Sequence, residues 1–438
     1  MRIMILLFFL MLLPILVMAM AEIPIVPEKY TKNDFAIIAP NEFYYDLNYS
    51  YDKVDRHVLN APASAEATIE SLAAYLVEPA KNDREKARAI FRWITENIDY
   101  NVEVFFGGGS GSAKSEDVLK SRRSICYGYS DLFLSLAREA GLDAVRITGY
   151  GKGYGYVPGK NFSGPFNHAW NAVKINGSWY LIDCTWGAGF VNGEGEYVRK
   201  FDDHYFMTPP SQFIFSHFPE DFRWQLLNQP LTRGEYENLV YLEADFFNLG
   251  LMLGERNGTI IVDTQINLSI FAPQDVLIMA KLEHAGTGEA LDGYTLCQRD
   301  GGRYDIDVRF PEEGSYILKA YAKSRYNPGK YDSVLAYSIN ASSGGGVVFP
   351  VNFKAFSETG AYLIGPLDGR LMAGSTYFFR IRVPGARNVS VVCGDDWTTL
   401  ASRGDMFEGN ATAIEGDVMV FGKFQGAEWD GLVRYTAE

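Results

Sequence analysis

Cys126 stands at the start of a helix-patterned stretch, His168 opens a strand-patterned one, and Asp183 closes the strand that follows. These residue types in this setting can run nucleophilic acyl chemistry. A thiolate attacks a carbonyl, an imidazole manages the proton, and a carboxylate fixes the imidazole's tautomer. The helix start favours the thiolate, because unpaired amides and the helix dipole stabilise negative charge there. The Cys126 amide can also point at a developing oxyanion. Asn176-Gly177 between the two strands is a two-residue hairpin turn that sets Ile175 opposite Ser178. In that register Trp170 faces Asp183, so His168 and Asp183 lie two positions apart on the diagonal with side chains on one face. The chain has only 5 His, so one placed beside an Asp in this way is informative.

Other residues near this constellation carry weaker signals. Tyr100 is a candidate oxyanion donor, set against a plain reading as a packed strand aromatic. Trp170 and Trp186 either wall a cleft or belong to the core. The Cys184 side chain points to the face opposite Asp183, which argues against a Cys126–Cys184 disulfide. His217, in Phe215-Ser216-His217-Phe218-Pro219, lies beyond the hairpin and reads as structural. Gly107-Gly108-Gly109-Ser110-Gly111-Ser112 lacks the Lys-Ser/Thr ending of a phosphate loop, which excludes nucleotide binding. No CxxC pair occurs, so a zinc site is a poor reading and no metal or other cofactor is required.

The elements that must position these groups follow from periodicity. Ile69, Leu72, Ala73 and Leu76 fall at helix spacing and Pro79 ends that run; a second helix is capped by Asp83, with Ala87, Ile90, Phe91, Ile94 and Ile98 on its apolar face. Ser115 to Lys120 forms a short helix, and Leu132, Leu136 and Ala140 continue the Cys126 helix to Gly141. Strands are expected at Ala144–Tyr150, His168–Ile175 and Trp179–Asp183, with a Gly/Tyr-rich loop, Gly149 to Gly164, between the first two. After about Gly250 the pattern turns to alternating strands with no helical stretch. The strands fall into two series, Thr259 to Tyr321 and Val347 to Phe424. These read as two antiparallel sandwiches joined by the linker Ser342-Ser343-Gly344-Gly345-Gly346. The expected organisation is a leader at 1–21, an extended, partly ordered lead-in at 22–63, a catalytic-type domain at 64–250, and β-sandwiches at 251–342 and 347–438.

Several motifs are more particular. They are Ser124-Ile125-Cys126-Tyr127-Gly128-Tyr129-Ser130, His168-Ala169-Trp170-Asn171-Ala172-Val173, and Trp179-Tyr180-Leu181-Ile182-Asp183-Cys184-Thr185-Trp186-Gly187. Together with the order Cys, His, Asp they resemble the transglutaminase-like superfamily core. The continuation Tyr205-Phe206-Met207-Thr208-Pro209-Pro210, Phe213 to Asp221, and Trp224 to Leu227 resembles its kyphoscoliosis peptidase-like branch. The resemblance covers about 83–230, and the tail more loosely. It implies an α+β fold: a papain/transglutaminase-like cysteine-protease core followed by two all-β immunoglobulin-like sandwiches. It also implies a triad of Cys126, His168 and Asp183.

The rest of the chain bounds compartment and partners. The sequence has 438 residues, 47% apolar and 21% charged, enough for several cores. Arg2, the apolar run Ile3 to Met18 broken only by Pro14, and Ala19-Met20-Ala21 have the anatomy of a secretory signal peptide. Its removal lowers Lys+Arg from 40 to 39 against 54 Asp+Glu, a net charge of −15. That acidity argues against nucleic acid and anionic lipid as partners; a membrane is involved only if the leader is retained. Asn-x-Ser/Thr sequons at Asn48, Asn161, Asn176, Asn257, Asn267, Asn340, Asn388 and Asn410 suit a glycoprotein that is secreted or held at the extracytoplasmic surface. In an oxidising compartment Cys126, Cys184, Cys297 and Cys393 allow three complete pairings; Cys297 and Cys393 can pair only if the two sandwiches touch. The leading expectation is an exported enzyme hydrolysing peptide or Gln-type amides through a thioester, with a protein or peptide as substrate. The rival is a non-catalytic adhesion or scaffold protein that binds cell-surface partners through its C-terminal modules.

Overall fold

The computed structural model describes residues 49–426 and 428–438. The expected leader, residues 22–48 of the lead-in and the Asn48 sequon lie outside these. The remainder of the lead-in is not extended as expected: Asp52–Val58 is a helix whose Val54 and Val58 are buried in the first core.

Four further helices build that core: Ile69–Leu76, Asp83–Asn97, Ser115–Ser121 and Cys126–Glu139. Thr68 and Ser71 form a reciprocal capping box on the first. The second is capped by Asn82 rather than Asp83, because the Asn82 side chain accepts from the Glu85 amide at 2.9 Å. Apolar faces of these helices close over Val173, Ile175 and Ile182 of a sheet, burying Phe91, Trp93, Tyr129 and Phe133 completely. Each such side chain contributes roughly 1.5–3 kcal/mol through the water it sheds.

The sheet has five antiparallel strands in the order Phe206–Thr208, Ser178–Ile182, His168–Ile175, Asp143–Gly151 and His217–Pro219. The hairpin register is the one the turn dictates, from Ile175 opposite Ser178 to Asn171 opposite Ile182. Asn176 and Gly177 take φ values of 51° and 84°, the two positive angles that a type I′ turn needs. The paired strand ends one residue before Asp183, which instead starts the short helix Cys184–Ala188.

Two sandwiches follow, each a six-stranded sheet on a four-stranded one. Tyr241–Leu242 already pairs with Asp332–Ala341 of the first sandwich, so a domain boundary at 250 falls too late. The first sandwich is continuous with the catalytic-type domain. Tyr150, Ile214 and Phe215 share one buried cluster with Tyr236, Val240 and Phe246 and with the sandwich interior. In the second sandwich the strand series expected to open at Val347 starts irregularly. Only Val351–Asn352 is extended, and Lys354–Thr359 is a helix that buries Phe356 and ends at Gly360 in the left-handed region. The two sandwiches touch: the Leu363 amide donates to Gln298 at 2.7 Å, and Arg382 pairs with Asp300 at 2.8 Å. All four cysteines are nevertheless free thiols, so contact between the modules does not bring Cys297 and Cys393 into a bridge. No helix of the described residues is long and apolar enough to cross a membrane.

Candidate active site

Cys126 is the first residue of the Cys126–Glu139 helix, and no side chain caps its N-terminus. The first amides of the helix are therefore free to face a ligand. Gly128 makes this start feasible, since a Cβ there would lie 2.0 Å from Ser124 Oγ and 2.9 Å from Val118 Cγ2. Only a glycine lets the chain from Ser124 fold back under the first turn.

His168 and Asp183 meet across the sheet. His168 Nε2 lies 2.7 Å from Asp183 Oδ2, and both residues are buried. A carboxylate only accepts, so Nε2 carries the hydrogen and Nδ1 is left for the thiol. Burial opposes charge on His168, but the Asp183 carboxylate, its hydrogen bond and the hydrogen bond with Cys126 prevail and push the imidazole up to about 10. Burial likewise opposes ionisation of Asp183, and the charge and hydrogen bond of His168 overcome it, with His217 adding a second donor. The carboxyl is held well below its usual range.

Asp183 has four donors. Its Oδ1 accepts from the Thr185 amide at 2.7 Å and the Trp186 amide at 3.1 Å, as the N-cap of Cys184–Ala188. Its Oδ2 accepts from His168 and also from His217 Nε2 at 3.0 Å. The structural role expected for His217 from sequence misses this contact. The edge strand carrying His217 pairs with Gly151, while His168 pairs with Gly149 of the same strand. A Cβ on Gly149 would lie 2.2 Å from Phe218 O, so this glycine lets the edge strand close up.

Tyr100 reaches the site along a different path. Asp99–Tyr100 pairs in parallel with Arg123–Ser124, which leads into Cys126. Burial and then the nearby Cys126 and Asp183 raise the Tyr100 phenol well above its ordinary value, so the hydroxyl stays protonated and able to donate. Trp186 stacks on His168 with centroids 5.1 Å apart and lines the cleft, whereas Trp170 is fully buried against Phe213. Cys184 is buried in the core of the catalytic-type domain and its thiol is pushed far up by burial, leaving it inert.

A cavity of about 530 Å³ opens on His168. Tyr100, Phe105, Tyr154, Trp186 and Phe190 form one side, and Glu243, Asp245 and Asp332 of the first sandwich form another. The cleft is thus completed by a module outside the Cys–His–Asp core. His168, Asp183 and His217 also bring their ligand atoms within 4.8 Å of one another, a spacing that a metal ion can span. Both Nε2 atoms are already hydrogen-bonded to the one Oδ2, so the cluster is satisfied as a proton-holding network.

Fold and site together define a cysteine-protease-like core joined to immunoglobulin-like sandwiches, and comparison with known proteins gives it a family. Residues 70–184, which contain Cys126, His168 and Asp183, match the transglutaminase-like superfamily. Residues 233–351 match the KY-like, immunoglobulin-like domain, a match that begins before Tyr241–Leu242 joins the sandwich. The chain thus joins a transglutaminase-like domain to a KY-like immunoglobulin-like one, the pairing of the kyphoscoliosis peptidase-like branch. It is 32% identical to kyphoscoliosis peptidase of Mus musculus over 295 residues, covering 67% of this chain and 43% of that one. It is 30% identical to hillarin of Drosophila melanogaster over 347 residues, 71% of this chain and 42% of that one. It is 34% identical to the Lim and transglutaminase domain protein ltd-1 of Caenorhabditis elegans over 239 residues, 51% and 32% respectively. The chain therefore spans less than half the length of these relatives.

Proposed function

We propose that this protein is a thiol-dependent acyl-transfer enzyme that cleaves peptide or Gln-type amides through a thioester on Cys126. The observation that carries the reading is the buried His168, hydrogen-bonded through Nε2 to Asp183 Oδ2 at 2.7 Å with the Cys126 thiol as its other partner. In the proposed cycle Cys126 passes its proton to His168 Nδ1 and the resulting thiolate attacks the amide carbonyl. The oxyanion is met by the first amides of the Cys126 helix and by the Tyr100 hydroxyl. His168 returns its proton to the leaving amine as the C–N bond breaks, which leaves the thioester. Water then restores the thiol and releases acid; an amine in its place gives a new amide. The test is incubation with a Gln-containing peptide, with and without a primary amine, read by mass spectrometry of the products. Deamidated or cut peptide supports hydrolysis and an amine adduct supports transfer; peptide unchanged relative to Cys126→Ala overturns the reading.

A second reading, a non-catalytic adhesion or scaffold protein, is favoured by two sandwiches that make up nearly half the chain. It predicts that Cys126→Ala leaves every function and every partner bound. Export is part of the proposal. Asn161, Asn176, Asn257, Asn267, Asn388 and Asn410 are exposed and Asn340 is half-buried, so those sequons are within reach of a glycosylating enzyme. Protein recovered from the medium that loses mass with a glycosidase supports this; full-length, unmodified chain retained in cells opposes it.

A further inference from the structure

We propose that His217 is a positioning residue for the acyl-transfer reaction: by donating from Nε2 to Asp183 Oδ2 it holds the carboxylate ionised and aimed at His168. This rests on the reading of Cys126 and His168 as an acyl-transfer pair.

The carboxylate fixes the direction of the hydrogen bond that matters. Asp183 accepts only, so the hydrogen in the 3.0 Å contact sits on His217 Nε2. On the other side of the ring, Nδ1 lies 2.8 Å from Ser216 Oγ, a hydroxyl able to donate. A neutral Nε2–H tautomer satisfies both contacts at once. A second positive charge is disfavoured, because the ring is fully buried with His168 only 5.3 Å away. Burial lowers the His217 imidazole to about 4, even against the pull of Asp183. The titratable groups facing it are Asp183, His168, the Tyr205 phenol, whose ring is 6.3 Å away, and the His204 imidazole next to Tyr205.

The ring is also held. It stacks on Phe213 with centroids 3.8 Å apart and planes at 17°, and it meets Trp186 at 4.3 Å and Trp170 at 5.0 Å. Asp183 Oδ1 is fixed by two backbone amides, but Asp183 is fully buried, and a single donor on Oδ2 leaves lone-pair density unsatisfied. His217 supplies the second donor without adding charge. Two imidazoles thereby share one carboxylate oxygen: His168 carries the mobile proton and His217 donates a fixed one.

Two measurements test this. The first is the tautomer of His217 in histidine-labelled protein, read by nitrogen NMR; with only 5 His in the sequence, single substitutions assign the signals. A neutral ring protonated at Nε2 near neutral pH is expected. Protonation at Nδ1 alone overturns the proposal, because Nε2 then faces Asp183 with a lone pair. The second is the pH profile of Cys126 alkylation in His217→Phe, which keeps the ring stack, and His217→Gln, which keeps a donor. In His217→Phe the acidic limb should move up by about one pH unit as Asp183 loses a donor, and His217→Gln should restore most of it. A His217→Phe profile that superimposes on wild type, at equal melting temperature, overturns the proposal. If wild-type alkylation does not depend on His168, the acyl-transfer reading fails instead, and the tautomer still decides whether His217 holds Asp183.

Discussion

His168 Nε2 and Asp183 Oδ2 lie 2.7 Å apart although Asp183 is outside the paired part of its strand. The hairpin brings the residues near, and the N-cap of Cys184–Ala188 then turns the carboxylate toward the imidazole. Asp183→Asn keeps this shape but presents no charge. Alkylation of Cys126 at mildly acidic pH should fall by about 10²-fold or more, because the imidazolium loses its partner. Breaking a buried pair should also cost about 3–5 kcal/mol in denaturant unfolding. Unchanged alkylation would remove Asp183 from the site.

Tyr100 separates oxyanion stabilisation from thiol activation. Tyr100→Phe should lower kcat on an amide substrate by about 10²-fold. Iodoacetamide forms no oxyanion, so the alkylation rate of Cys126 should stay as in wild type. Loss of both rates together would mark Tyr100 as packing that shapes the helix start.

Gly128 tests how the nucleophile is presented. A methyl group there overlaps Ser124 Oγ, so Gly128→Ala should destabilise the fold by about 1–3 kcal/mol and displace the first turn. Thermal unfolding checks the first effect and Cys126 alkylation the second. A variant with wild-type stability would contradict the crowding.

Two histidines shape stability against pH in opposite senses. His217 is lowered to about 4, so between there and its unfolded value near 6.5 the unfolded chain binds the extra proton and stability falls as pH falls. His168 is raised to about 10, so its contribution is complete below about 6.5 and is lost as pH rises through about 10. Each slope approaches about 1.4 kcal/mol per pH unit for one proton. Denaturation midpoints should show the acidic slope reduced in His217→Phe and the alkaline slope reduced in His168→Ala. Identical slopes in variant and wild type would show that these rings do not titrate as the burial requires.

The catalytic-type core was legible because its signals are local. Asn176-Gly177 sets the hairpin register, apolar spacing sets the Cys126 helix, and together they bring His168 to Asp183. His217 was not legible. Its three-residue strand carries no periodicity, and only the pairing with Gly151, 66 positions away in sequence, brings its ring to the carboxylate. The Lys354–Thr359 helix escaped for a related reason, since one turn and a half that buries Phe356 alone looks like alternation. The wall of the cleft formed by Glu243, Asp245 and Asp332 depends on how the sandwich docks, which no local pattern encodes.

The most direct test of the central claim is the alkylation rate of Cys126 by iodoacetamide across pH, in wild type and His168→Ala. A thiolate–imidazolium pair predicts rapid, single-site modification at mildly acidic pH that collapses in His168→Ala. Equal rates in the two proteins, rising only as an ordinary thiol ionises, would contradict it.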